Sequence, residues 1–135
     1  MSDNISVSIF MGSKSDLPIV QATSDTLKEF GVKHRMFILS AHRTPKEVVK
    51  RVKESEENGV KIFIAAAGMA AHLAGAIAAQ TTKPVFGIPL GGGGLDGMDS
   101  LLATVQMPKG VPVATFAIGK SGAINAALCA VQVLG

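Results

Sequence analysis

The residue types best suited to chemistry in this chain fall in three short stretches. "LSAHRTPKEV" (39–48) sets His42 beside Arg43 directly after an apolar run. A histidine can exchange a proton near neutral pH, and a guanidinium can hold a phosphate or carboxylate through paired hydrogen bonds. "MGSKSD" (11–16) puts Gly12, Ser13, Ser15 and Asp16 between an apolar run and a helical pattern. Free backbone N–H groups and the positive end of a helix favour a phosphate there, although the stretch is neither a Walker A loop nor a Gly-x-Gly-x-x-Gly fingerprint. "AAAGMAAHLAG" (65–75) offers Gly68, where backbone can approach a ligand closely, and His72 near the start of a small-residue helix. Each has a plainer reading. Ser13, Ser15 and Asp16 can simply cap a helix, His42 and Arg43 can be solvated loop residues, and His72 can be a hydrogen-bonded core histidine. A fourth stretch, Gly91–Gly94, is either a connector or a loop that moves over, or lies flat against, a ligand.

The elements that must position these residues alternate. Strand patterns at 5–11, 32–39, 60–67, 84–90 and 111–118 are separated by helical patterns. The first helix ends near Phe30–Gly31. The second starts at Thr44, Pro45 and Glu47, read as an N-cap, a first-position proline and a capping-box acid, and stops at Asn58–Gly59. A third covers 70–81, a short piece surrounds 99–105, and the last runs from 121 to 135. Alternating strands and helices joined by short turns predict a parallel sheet covered on both faces. Five strands suit the doubly wound order 2-1-3-4-5, with ligands at the carboxyl ends of the strands near the switch point. In that order the loops after strands one, two and three are neighbours, so the three polar stretches meet on one rim. That juxtaposition favours chemistry for His42 and Arg43.

The totals exclude several classes. A chain of 135 residues suits one domain with a real core, here 1–135. Net charge is +3 and the 13 Lys and Arg form no basic block, while Tyr and Trp are absent. Nucleic-acid binding is therefore disfavoured. Cys129, the only cysteine, sits in an apolar helical stretch and reads as packing; no disulfide, Cys-pair metal site or other metal-ligand spacing is present. The N-terminus lacks a signal pattern, and the apolar run 62–79 reads as strand, turn and helix rather than a membrane span. A cytoplasmic protein is expected. The mean hydropathy of +0.37 and the all-round apolar helix at 70–81 predict burial against another subunit.

With these motifs in place, the sequence resembles the class I N5-carboxyaminoimidazole ribonucleotide mutases of de novo purine biosynthesis. The matching pieces are "MGSKSDLP", "SAHRTP", "GMAAHLAG", "GIPL", "GLDGMDSLLATVQMPKGVPVATFAIG" and "GAINAALCAVQVL", in order from about Ser8 onward. The resemblance implies a three-layer flavodoxin-like subunit in a homo-octamer, acting on an imidazole ribonucleotide without cofactor or metal. It implies movement of a carboxylate from the exocyclic amine to ring carbon C4. By the same resemblance Ser13, Asp16 and Arg43 hold the ribose phosphate end, and Ser40 and the Gly68, Met69, Ala70 and Ala71 backbone line the pocket. Gly12, Ser15, Ala41 and Leu73 complete the substrate-binding set, His42 transfers protons, and His72 sits beside the migrating carboxylate. Small walls at Ala66, Ala67, Ala70, Ala71 and Ala74 would suit retention of CO₂.

The sequence also departs from the family pattern. Around the second histidine the family reads Gly-Gly-Ala-Ala-His-Leu-Pro-Gly-Met; here Met69, Ala74 and Ala76 replace the second glycine, the proline and the methionine. Gly91–Gly94 replaces a less flexible segment, and the sequence reaches Gly135 without the further C-terminal helix common in relatives. Two rivals stand beside the mutase: a class II enzyme that carboxylates aminoimidazole ribonucleotide with CO₂, and a non-catalytic flavodoxin-like ribonucleotide-binding protein. The class II pattern resembles "SAHK" and "AGRSN" at these loops, against "SAHRT" and "GMAAH" here. A receiver-type domain is disfavoured, because strand one leads into Gly and Ser rather than acidic residues.

Overall fold

A computed structural model describes residues 4–135; the first three residues of the expected 1–135 domain lie outside it. Five parallel strands form one sheet in the order β2-β1-β3-β4-β5. They are β1 (Val7–Met11), β2 (His34–Ile38), β3 (Ile62–Gly68), β4 (Val85–Leu90) and β5 (Ala114–Thr115). The helices are α1 (Leu17–Glu29), α2 (Pro45–Glu57), α3 (Leu73–Ala78), α4 (Met98–Val105) and α5 (Lys120–Leu134), with a 3-10 turn at Lys14–Asp16. Architecture and strand order are those expected from the alternation of patterns.

The two faces of the central strands follow from their period of two. Val7, Ile9, Met11, Ile62, Ile64, Phe86 and Ile88 pack against Val20 and Leu27 of α1 and the alanine stripe Ala123, Ala126, Ala127 and Ala130 of α5. Cys129 packs on the edge of that cluster. Phe10, Phe63, Ala65 and Val85 face the other way, onto Val48 and Val52 of α2 and Leu73, Ala74 and Ile77 of α3. Burial of this kind contributes roughly 1.5–3 kcal/mol for each large side chain. Ser8 is the polar exception on β1, and its hydroxyl is matched by Ser55 of α2 at 2.8 Å. On the same side α4 comes close to the sheet at Gly87, where a Cβ would lie 2.4 Å from Thr104 Cγ2.

Several local expectations need correction. The strand expected over 111–118 reduces to Ala114–Thr115, because it is an edge strand paired only with β4 and Pro112 has no N–H to donate. Thr44 precedes α2, but its hydroxyl makes no cap; it bonds back to Ser40, and Glu47 pairs with Arg51 at 3.1 Å instead of closing a capping box. The helix expected over 70–81 is six residues long, since Met69 adopts φ 50° and the chain up to His72 stays outside it. Its large apolar residues are covered within the chain: Leu73, Ala74 and Ile77 pack against the sheet, while Ala70 and Ala79 stay exposed. The exposed apolar stripe lies on α4, at Met98, Leu102 and Val105. The apolar run 62–79 divides into β3 and α3, and no helix among the described residues is long and apolar enough to cross a membrane.

Candidate active site

Strand order brings four loops together at the carboxyl end of the sheet. Those following β1, β2, β3 and β4 surround a cavity of about 550 Å³. Gly12, Ser13, Ser15 and Asp16 line it from the first loop, and Ser40, Ala41, His42 and Arg43 from the second. Gly68, Met69, Ala70, His72 and Leu73 line it from the third, and Leu90 to Gly93 from the fourth.

The first loop is a closed turn. Ser13 Oγ accepts the Ser15 N–H at 3.2 Å and lies 2.9 Å from Ser15 Oγ, while the Asp16 carboxylate accepts the Ser13 N–H at 3.1 Å. This reciprocal pair is a capping box, so the plain structural reading holds for these residues, and their place on the cavity wall holds as well. Partial burial raises the Asp16 carboxyl above its ordinary value, and the hydrogen bond from the Ser13 backbone opposes that shift.

The second loop is built on Ser40. Its hydroxyl accepts the N–H groups of His42 (3.2 Å) and Arg43 (3.1 Å). Thr44 Oγ1 accepts the Ser40 N–H at 2.9 Å and donates to the Ser40 carbonyl at 3.0 Å. Thr44 thus serves the loop rather than the helix, and the backbone carrying His42 and Arg43 is held at several points.

Across the cavity His42 Nε2 and His72 Nδ1 are 2.9 Å apart, and the rings meet edge to face with centroids 5.0 Å apart. A nitrogen–nitrogen contact of this length needs one donor and one acceptor. The contact thus joins two imidazoles from residues 30 positions apart in the chain. Both histidines are exposed, which rules out the core reading of His72.

Three expected residues, Ala66, Ala71 and Ala74, sit elsewhere. Ala71 is 2% exposed and does not line the cavity. Of the proposed small-residue walls, Ala67 and Ala70 line the space, whereas Ala66, Ala71 and Ala74 belong to the buried core. Ile19 and Leu90 are lining residues that motif reading did not single out. Ile19 follows Asp16 by three residues, one helical turn, which was a usable signal; Leu90 carried none beyond being the last residue of a strand.

Comparison with known proteins gives the family and the fold. A family model described as AIR carboxylase matches residues 6–135. The N5-carboxyaminoimidazole ribonucleotide mutase of Vibrio parahaemolyticus is 50% identical over 129 residues, which cover 96% of this chain and 80% of that protein. The mutase of the same name from Pyrococcus horikoshii is 51% identical over 129 residues, covering 96% and 72%. The crystal structure of Treponema denticola PurE superposes with a TM-score of 0.85 at 30% identity, covering 95% of this chain and 78% of that one.

Proposed function

The chain belongs to the AIR carboxylase family, and from that premise we propose how its residues carry out an N5-carboxyaminoimidazole ribonucleotide mutase reaction, an isomerisation in purine biosynthesis. The activity rests on the relatives of that name at 50% and 51% identity. The observation that carries the mechanism is the 2.9 Å contact between His42 Nε2 and His72 Nδ1 at a cavity rimmed by anion-binding groups.

The reaction breaks the carbamate N–C bond, which releases CO₂ and leaves the exocyclic nitrogen needing a proton. Carbon C4 then attacks CO₂, and the proton on C4 must depart before the ring regains aromaticity. The proton gained at nitrogen equals the proton lost at carbon, so the sum is an isomerisation. His42 supplies the first proton and removes the second, with His72 as its hydrogen-bonded partner beside the migrating carboxylate. No step calls for a metal or a cofactor, because only CO₂ and a proton move. Ser13, Asp16 and Arg43 hold the ribose phosphate end, where the turn at Ser13–Asp16 and the guanidinium suit an anion and hydroxyls. Gly12, Ser15, Ser40, Ala41, Gly68, Met69, Ala70 and Leu73 shape the rest of the pocket, and confinement there keeps recapture of CO₂ local.

Residues 1–135 form one catalytic domain on this reading, in the cytoplasm and in a homo-oligomer, an octamer by family resemblance. The exposed stripe Met98, Leu102 and Val105 on α4 supports self-association. Light scattering of dilute protein should give a multiple of 13.9 kDa; a well-folded monomer would refute that part. The activity is tested with fresh N5-carboxyaminoimidazole ribonucleotide and no added bicarbonate, following the C4-carboxylated product. Wild type should turn over, and His42→Asn should lose about 10³-fold or more. Turnover only from aminoimidazole ribonucleotide and CO₂ would replace the mutase by the carboxylase, and ribonucleotide binding without either turnover would replace both by a binding protein.

A further inference from the structure

Met69 has no place in the proton-transfer scheme, yet its conformation is unusual for the space it occupies. Its φ of 50° lies in the left-handed region, which side-chain-bearing residues disfavour. The residue is 64% exposed and lines the cavity that His42 and His72 share. Facing it is Gly93, where a Cβ would lie 3.1 Å from Met69 Cγ and 3.8 Å from the sulfur. Met69 therefore occupies the volume that any side chain at position 93 would need.

The segment carrying Gly93 has held ends and a bare middle. Ser100, fully buried, places its hydroxyl 2.7 Å from the Leu90 carbonyl and 2.9 Å from the Gly97 carbonyl, so one proton serves both ends of the loop. Between those ends, Gly91 to Gly94 have no side chains with which to pack.

We propose that Met69 and Gly93 form a gate over the reacting end of the cavity, with the Met69 thioether positioned to retain CO₂ between its release and its recapture. The inference rests on the mutase reading. Once the carbamate N–C bond has broken and the amine has gained its proton, CO₂ has two fates. It bonds to C4, which then loses its proton, or it escapes and leaves aminoimidazole ribonucleotide behind with one proton consumed. An unbranched, polarizable thioether can cover a mouth of variable shape without competing for the carboxylate's hydrogen bonds.

The partition between these fates is the measurement. N5-carboxyaminoimidazole ribonucleotide is supplied in buffer stripped of CO₂, and both products are counted after subtraction of the enzyme-free decarboxylation. Met69→Gly should raise the escaping fraction roughly fivefold or more, while Met69→Leu, which restores an apolar cover, should stay within about twofold of wild type. Gly93→Ala should also raise escape, because its methyl pushes Met69 aside. In the Met69→Gly/Gly93→Ala double variant the same methyl partly refills the vacated mouth, so escape should fall below that of Met69→Gly alone. Equal escape from all variants, or strictly additive effects in the double variant, would overturn the gate. Absence of C4-carboxylated product from wild type would overturn the mutase reading and the gate with it, whereas product with an unchanged partition overturns the gate alone.

Discussion

The two sides of the cavity are held in opposite ways. On the β1–β2 side the loops are cross-linked to themselves: Ser13 to Ser15, Asp16 to the Ser13 N–H, and Ser40 to the backbone of His42 and Arg43 and to Thr44. On the β3–β4 side the chain carries a left-handed Met69, four successive glycines and an anchor at Ser100 beyond them. The difference matches what each side must do. A phosphate and a ribose do not change during the proposed reaction, so groups holding them lose nothing by being rigid in advance. A carboxylate that detaches and re-forms elsewhere needs walls that can adjust around it. The contact between His42 and His72 joins the stiff side to the adjustable one.

That comparison can be sharpened by substitution. The largest expected effect short of losing His42 comes from His72→Asn, which removes the partner on the adjustable side; kcat should fall about 10²-fold with KM little changed. A rise in KM alone would mean that His72 serves binding rather than proton movement. Ser40→Ala unties the backbone beneath His42 and Arg43 on the stiff side. It should lower kcat/KM by about tenfold, in proportion to roughly 1–1.5 kcal/mol of lost positioning, and unchanged kinetics would show that Thr44 alone holds the loop.

Asp16→Asn separates stability from binding. Because folded Asp16 retains its proton more tightly than it does in the unfolded chain, the folded state binds more protons through that range. Stability therefore falls as pH rises from the ordinary carboxylate value of 3.8 through the raised folded value, and is spared below it. Thermal melts of Asp16→Asn across that range should lack this decline, while KM at neutral pH should rise. A wild-type decline of the same size in the variant would assign the pH dependence to other carboxylates. The smallest effect belongs to Met69→Gly, whose melting should correspond to within about 1 kcal/mol of wild type. Relief of the left-handed backbone offsets the extra chain freedom of glycine, and most of the lost side chain was already in solvent. A large destabilisation would make Met69 a structural residue and contradict the adjustable side of the comparison.

Much of this was legible from residue order. The alternation of strand and helix patterns carried the strand order, and with it the meeting of the loops at Gly12–Asp16, Ser40–Arg43 and Gly68–Leu73. The motifs around His42 and His72 carried the family. Less legible were the features that depend on competition for partners. Thr44 had the look of a helix cap, but its hydroxyl found Ser40 instead, and a linear pattern does not rank one acceptor above another. The alanine run at 70–81 looked like one apolar helix, yet only Leu73–Ala78 is helical and its large residues pack on their own sheet. Ala71 has the composition of a pocket wall and lies in the core.

The sequence by itself determined which residues could do chemistry and on which rim they stand, because strand order follows from pattern and loops follow strands. Only the tertiary structure decided that His42 Nε2 and His72 Nδ1 come within hydrogen-bond distance, and that Met69 fills the space left by Gly93. Both are contacts between residues far apart in the chain, set by the register of parallel strands and the φ of a single residue. A shift of an ångström would remove either, and no composition or spacing encodes distances that fine.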